Sequence, residues 1–163
     1  MKPALSLLCL FAAACLTLAG CNYDSPLTAK PTQKINEKLL GEWVAVDKDT
    51  GKEERMHVLQ LDDSNYIVVM DGDAYRAFHS DFAGTAFVSV QDLQVGREAH
   101  KYIYFTWQLS ADGALLSLRG LSTQVVPEDT KGRTALQKLI KANLTNPKLF
   151  TEAPTFHRPP AAK

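Results

Sequence analysis

Four histidines, His57, His79, His100 and His157, are the first side chains to weigh for chemistry. An imidazole titrates near neutral pH and so serves as general base, proton shuttle or metal ligand. Asp81 follows His79 by two residues, which on a strand puts both on one face. Such a pair is the beginning of a metal site or an acid–base couple, but no third ligand stands near it in the sequence. The simpler expectation is a polar pair on the solvated side of a half-buried sheet. Asp71-Gly72-Asp73 lacks the longer spacing of a calcium loop and is expected to be a hairpin turn. No Gly-x-Ser-x-Gly elbow, His-Glu-x-x-His pair, phosphate loop or Cys-x-x-Cys occurs. None of these patterns asks for a metal or cofactor, and no nucleophile pairs with a base, so an enzyme is the least favoured class.

The cysteines carry a sharper signal. Cys9 and Cys15 lie in an apolar run from Ala4 to Leu18, broken only by Ser6 and Thr17 and preceded by Lys2. A short apolar run behind a basic start, with small residues after it, is the pattern of a secretory signal. It is too short for a comfortable membrane span, which needs about 20 apolar residues. Leu18-Ala19-Gly20-Cys21 resembles the lipobox of bacterial lipoproteins at all four positions. The resemblance implies that residues 1–20 are removed, that the Cys21 thiol receives a diacylglyceryl group and that the new N-terminus is acylated. Membrane attachment through that lipid follows. Asn22, where an aspartate would retain such a protein at the inner membrane, implies export to the outer membrane, facing the periplasm. With Cys9 and Cys15 gone, no second thiol remains for an internal disulfide or for cysteine catalysis. Roughly 140 residues are left, enough for a core to hold the fold alone.

Eighteen Lys+Arg balance eighteen Asp+Glu, for a formal net charge of zero. That balance argues against nucleic-acid binding, which needs a basic excess. An apolar share of 45% argues against disorder. Residues 21–34, with Pro26 and Pro31, are expected to form a lipidated tether, residues 35–158 a single domain, and residues 159–163 a disordered tail.

The elements that would position these residues are mostly strands. Short apolar runs separated by turn signals predict strands over 41–47, 53–61, 66–70, 74–81, 86–92, 101–110 and 114–121. In the sixth, Ile103, Phe105, Trp107 and Leu109 alternate with Tyr102, Tyr104, Thr106 and Gln108. Period two puts the first set in a core and leaves the second partly solvated. Consecutive strands with short turns make an antiparallel meander, which curls into a small barrel or half-barrel and so hides its edges. The predicted class is mainly β with one C-terminal α-helix. That helix is capped by Asp129 or Thr130, carries the apolar stripe Leu136, Leu139, Ile140 and Leu144, and ends at Asn146-Pro147. It would pack on the outside or across an open end. A last extended segment contains Pro154, which confines it to an edge.

Leu39-Leu40-Gly41-Glu42-Trp43 carries a Gly-x-Trp at the start of the first strand. This is similar to the opening motif of lipocalins and of lipocalin-like bacterial lipoproteins. The resemblance implies a short helical turn over Ile35 to Leu40, a tryptophan plugging the closed end of a barrel, an arginine across it, and an interior able to hold an apolar ligand. Arg119 is the candidate arginine.

Two functions compete. A binding module would hold an apolar molecule or lipid against Trp43, Ile103, Phe105 and Trp107, with Ala45, Ala74, Ala77 and Ala86 leaving room. An anchored scaffold or inhibitor would meet an envelope protein through an aromatic patch at Tyr102 and Tyr104. The lipocalin resemblance favours the first.

Overall fold

The computed structural model describes residues 23–47, 50–93 and 101–159. Residues 1–22, 48–49, 94–100 and 160–163 lie outside them, and with them the expected leader and Cys21.

Eight strands follow one another: β1 Gly41–Val46, β2 Glu53–Gln60, β3 Asn65–Met70, β4 Asp73–His79, β5 Phe87–Asp92, β6 Tyr102–Leu109, β7 Leu115–Leu121 and β8 Phe150–His157. Each pairs antiparallel with the next, and β8 returns to β1, so the sheet closes into a barrel. The mainly β meander barrel with one C-terminal helix is thus the observed class. Its eighth strand corrects the seven-strand expectation. The segment carrying Pro154 is not an edge, because it is paired on both sides. A register shift opposite Ser117 to Arg119 marks a bulge there, and a bulge leaves room in the ladder for a residue without an N–H. Asp71 and Gly72 both take positive φ, 51° and 90°, as the tight β3–β4 hairpin requires.

Alternation along the strands sorts side chains into two groups. Trp43, Ala45, Met56, Val58, Tyr66, Ala77, Leu116 and Phe156 form one buried cluster, with Val68, Val88, Val90, Trp107 and Leu118 against it. This is the inward face. The opposite parity gives a second cluster outside the barrel: Phe78, Phe87, Tyr102, Tyr104 and Leu121 packed with Tyr23, Leu27, Leu136, Ile140 and Leu149.

Two elements cover that outer face. The helix α1, Arg133–Ala142, buries Leu136 and Ile140 and half-buries Leu139, as its stripe demands. It starts later than Asp129 or Thr130: Gly132 precedes it with φ 78° and no side chain caps it. Thr130 instead turns its hydroxyl to the Pro127 carbonyl. The helix also stops at Ala142, short of Asn146-Pro147.

The second cover is the segment from Tyr23 to Lys34, which is not a free tether. Tyr23 exchanges two backbone hydrogen bonds of 2.9 Å with Tyr102, and its hydroxyl donates to the Val126 carbonyl at 2.6 Å. Leu27 is fully buried. Further on, the Thr32 N–H donates to the His79 carbonyl, and the Asp81 N–H to the Thr32 hydroxyl. Two apolar side chains with nowhere else to go lay this stretch onto the barrel as a strap.

Candidate functional site

The starts of β1, β3, β5 and β7 define one end of the barrel, and that end is shut. A 3-10 turn, Glu37–Leu39, crosses it. Trp43 is fully buried there and donates its indole N–H to the Leu39 carbonyl at 2.8 Å. The arginine facing Trp43 is Arg158, not Arg119. Its guanidinium carbon lies 3.9 Å from the Trp43 ring centroid, and it donates to the carbonyls of Leu40 and Lys38 at 2.7 and 2.6 Å. Arg119 has the outward parity on β7 and stands over Phe150, 5.3 Å from its ring. Arg158 was missed because it follows the eighth strand. Once that strand is counted, a basic residue just past Phe156 becomes the natural partner.

Above this plug the burial pattern is inverted. In a packed barrel the inward residues are the buried ones. Along β5 the outward Phe87, Ser89 and Gln91 are buried, whereas the inward Val88, Val90 and Asp92 are only half-buried. Inward Val68, Met70, Phe105, Trp107 and Leu118 are half-buried too, whereas Ile103 is buried. Solvent therefore reaches the apolar interior. Ile103, Phe105 and Trp107 share the inward face of β6, opposite Val90, Val88 and, on β7, Leu118. Gly120 sits beside Phe105, where a Cβ would lie 3.7 Å from the ring. Trp43 belongs to the floor. The four expected lining residues are thus on one side of the sheet.

Not all the small residues enlarge this space. Ala45 and Ala77 face inward but are buried in the floor cluster, whereas Ala74 has the outward parity and Ala86 lies before β5, exposed. Tyr102 and Tyr104 also part from expectation. They point outward, but the strap and α1 cover them, so no aromatic patch is exposed there. Tyr104 is fully buried and donates its hydroxyl to the Ser25 carbonyl. Burial, reinforced by the neighbouring Tyr23, pushes its phenol far above the usual tyrosine range.

His79 is likewise not on a solvated face. It is buried inside the barrel, its ring 5.6 Å from Tyr66 and 5.5 Å from Trp107. The Asn36 N–H donates to the Tyr66 hydroxyl, and that oxygen lies 2.8 Å from His79 Nε2. A buried phenol that already accepts has its own proton to place, and Nε2 is the acceptor within reach. The relay Asn36–Tyr66–His79 therefore leaves the imidazole proton on Nδ1. Burial holds the His79 pKa below its usual value, against an opposing pull from Asp81, so the ring is neutral. Among the described residues, three buried side-chain atoms have no hydrogen-bond partner: Nδ1 of His79, Oδ1 of Asp81 and the indole nitrogen of Trp107. Asp81 accepts from Gln33 of the strap through its other oxygen, Oδ2, and still acts on His79 by its charge.

The other end carries the β1–β2, β3–β4 and β5–β6 connections. Tyr75 faces inward near it, and burial, followed by Asp73, Asp92 and Asp71, pushes its pKa up. Asp71, Asp73 and Asp92 thus lie around Tyr75 at this end, and the floor is apolar apart from the relay.

No protein-family model, curated protein or solved structure matches the chain. Fold and site together define its class: a closed, eight-stranded antiparallel barrel of lipocalin-like plan, plugged at one end and with a solvent-reached apolar interior.

Proposed function

We propose that the protein is a periplasmic lipoprotein, anchored to the outer membrane through Cys21, whose barrel holds a small apolar molecule or lipid. The observation that carries the binding half is the inverted burial of β5. An interior lined by valine, leucine, phenylalanine and tryptophan and left open to water gains by taking up an apolar ligand, at about 25 cal/mol for each Å² removed from water. A concave, mostly apolar space with few polar groups is the usual form of a small-molecule site.

The anchor half rests on the lipobox resemblance. Only Asn22 lies between Cys21 and Tyr23, and Tyr23 is fixed to the first residue of β6. Two residues span at most about 7 Å. An acylated Cys21 thus holds the barrel close against the bilayer, with the attachment point at the rim where β6 begins. An anchored scaffold or inhibitor would need a different contact surface from Tyr102 and Tyr104, because both are covered.

Labelled palmitate and an acyl ligand test the two halves separately. Incorporation into the wild-type chain but not into Cys21→Ser supports the anchor, and equal incorporation overturns it. Saturable binding of a ten-carbon acyl ester to the chain from Cys21 onward, which contains every described residue, supports the interior site. Its absence overturns that site.

A further inference from the structure

The chain is neutral as a whole, but its charges are sorted between the barrel and its cover. Residues 23–34 and 122–149, the strap and the connection that contains α1, hold seven Lys+Arg and three Asp+Glu. The remaining described residues hold seven and thirteen. Lys30 and Lys34 on the strap, and Lys131, Lys138, Lys141 and Lys148 around the helix, are all exposed. α1 itself carries no acidic residue. Among the described residues the ion pairs involve Arg55 and His57, and neither Lys138 nor Lys141. These two lysines are three residues apart, on the helix face turned away from Leu136 and Ile140. With half-buried Phe82 and Leu144 they line an open groove of about 650 Å³. Two ammonium groups beside a partly apolar trough match a phosphate joined to hydrocarbon.

What lies next to this face follows from where the chain is attached. Strap and helix are stitched together: the Gly132 N–H donates to the Asp24 carboxylate at 3.1 Å, Arg133 Nε to the Pro26 carbonyl at 3.0 Å, and Gln137 Nε2 to the Leu27 carbonyl at 2.8 Å. The helix therefore starts beside the residues that follow Cys21, and its ten residues extend about 15 Å. We infer that the α1 flank is a second membrane contact, in which Lys138 and Lys141 meet the phosphates of anionic phospholipids in the bilayer that holds the Cys21 lipid. This rests on the anchor half of the proposed function and not on the interior as a ligand site. Opposite charge selects the occupant. An anionic bilayer surface attracts each nearby lysine and repels the acidic barrel, so anchor and flank together turn the barrel onto its α1 side. A basic patch supports an acyl anchor without replacing it, so the flank alone binds weakly and reversibly.

Flotation of the unlipidated chain from residue 21 onward, carrying Cys21→Ser, with lipid vesicles tests this. Vesicles of equal parts phosphatidylglycerol and phosphatidylcholine are compared with vesicles of phosphatidylcholine alone. Binding is expected to the anionic vesicles only, falling as salt rises, since screening shortens the reach of exposed charges. Lys138→Gln with Lys141→Gln should weaken it at least tenfold, at about fivefold for each lysine. Lys38→Gln with Lys52→Gln removes the same charge beside β1 and β2, which α1 does not cover, and should leave binding within about twofold. Equal binding to both kinds of vesicle, or equal losses in the two double variants, overturns the inference. Palmitate labelling decides the anchor and flotation decides the flank, so the two can fail separately. Because the flank releases in salt, salt-washed membranes still lose the Cys21→Ser chain.

Discussion

Trp43 and Arg158 hold the floor of the barrel as a pair. Trp43→Ala removes a fully buried indole together with its hydrogen bond to Leu39, and should cost roughly 3–5 kcal/mol in urea unfolding. Arg158→Ala should cost less, about 1–3 kcal/mol, through the lost stacking and two unpaired carbonyls. An unchanged midpoint in either variant would mean that the plug is ornamental. His79 gives the pH dependence a sign. Its folded pKa lies below its ordinary 6.5, so its contribution is full above that value and is lost as the pH falls below it. Stability should therefore start to drop below pH 6.5, before Asp24, Asp62 and Asp112, held below 3.8, take up protons. Replacing His79 by Gln should remove that first drop from a series of unfolding midpoints. At the alkaline end, Tyr66, Tyr75, Tyr102 and Tyr104 are all raised above 10 by burial. Stability present below pH 10 should be lost as the pH rises through their folded values, which absorbance titration of the phenolates would register as cooperative release.

At the level of elements, the strap from Tyr23 to Lys34 acts as part of the fold. Leu27→Ala should cost about 2–5 kcal/mol, comparable to Leu136→Ala on the helix that packs beside it. Proteases should fail to cut between Tyr23 and Lys34 in the native protein. Rapid cleavage there would show the segment to be a tether after all. The strands were legible because β residues alternate and the turns carry Gly and Asp. All seven predicted runs sit within a residue or two of observed strands. What hid the rest was long-range. Period two shows that Tyr104 and Trp107 face opposite ways but not which face is covered, and β6 has one face lining the interior and the other under the strap and α1. Two prolines made the strap resemble a linker, although Tyr23 and Leu27 are the side chains that pin it. The eighth strand was obscured by Pro154, whose missing N–H coincides with a bulge that only pairing reveals. The Asn36–Tyr66–His79 relay joins three separated positions and leaves no local mark in the sequence.

For the whole molecule, closure of the barrel and its uneven packing are one design. The sheet has no free edge among the described residues, its outer face is sealed over β4 to β7, and the apolar interior is the part left open. Anchoring at Cys21 would set that barrel beside a source of lipids. Cys21→Ser should move the protein from the membrane to the soluble fraction, since buried acyl chains contribute about 0.8 kcal/mol per methylene. Persistence at the membrane would point to another anchor. Ligand uptake is the central claim, and Trp107 is placed to report it. Of the two tryptophans, Trp43 is sealed in the floor and Trp107 lies half-exposed among the inward residues. Titration with a brominated fatty-acid methyl ester, whose bromine quenches only at contact, is the most direct measurement. Saturable quenching at one ester per chain, mostly lost in Trp107→Phe, is the predicted result; emission from both tryptophans unchanged at excess ester would contradict an interior that takes up ligand.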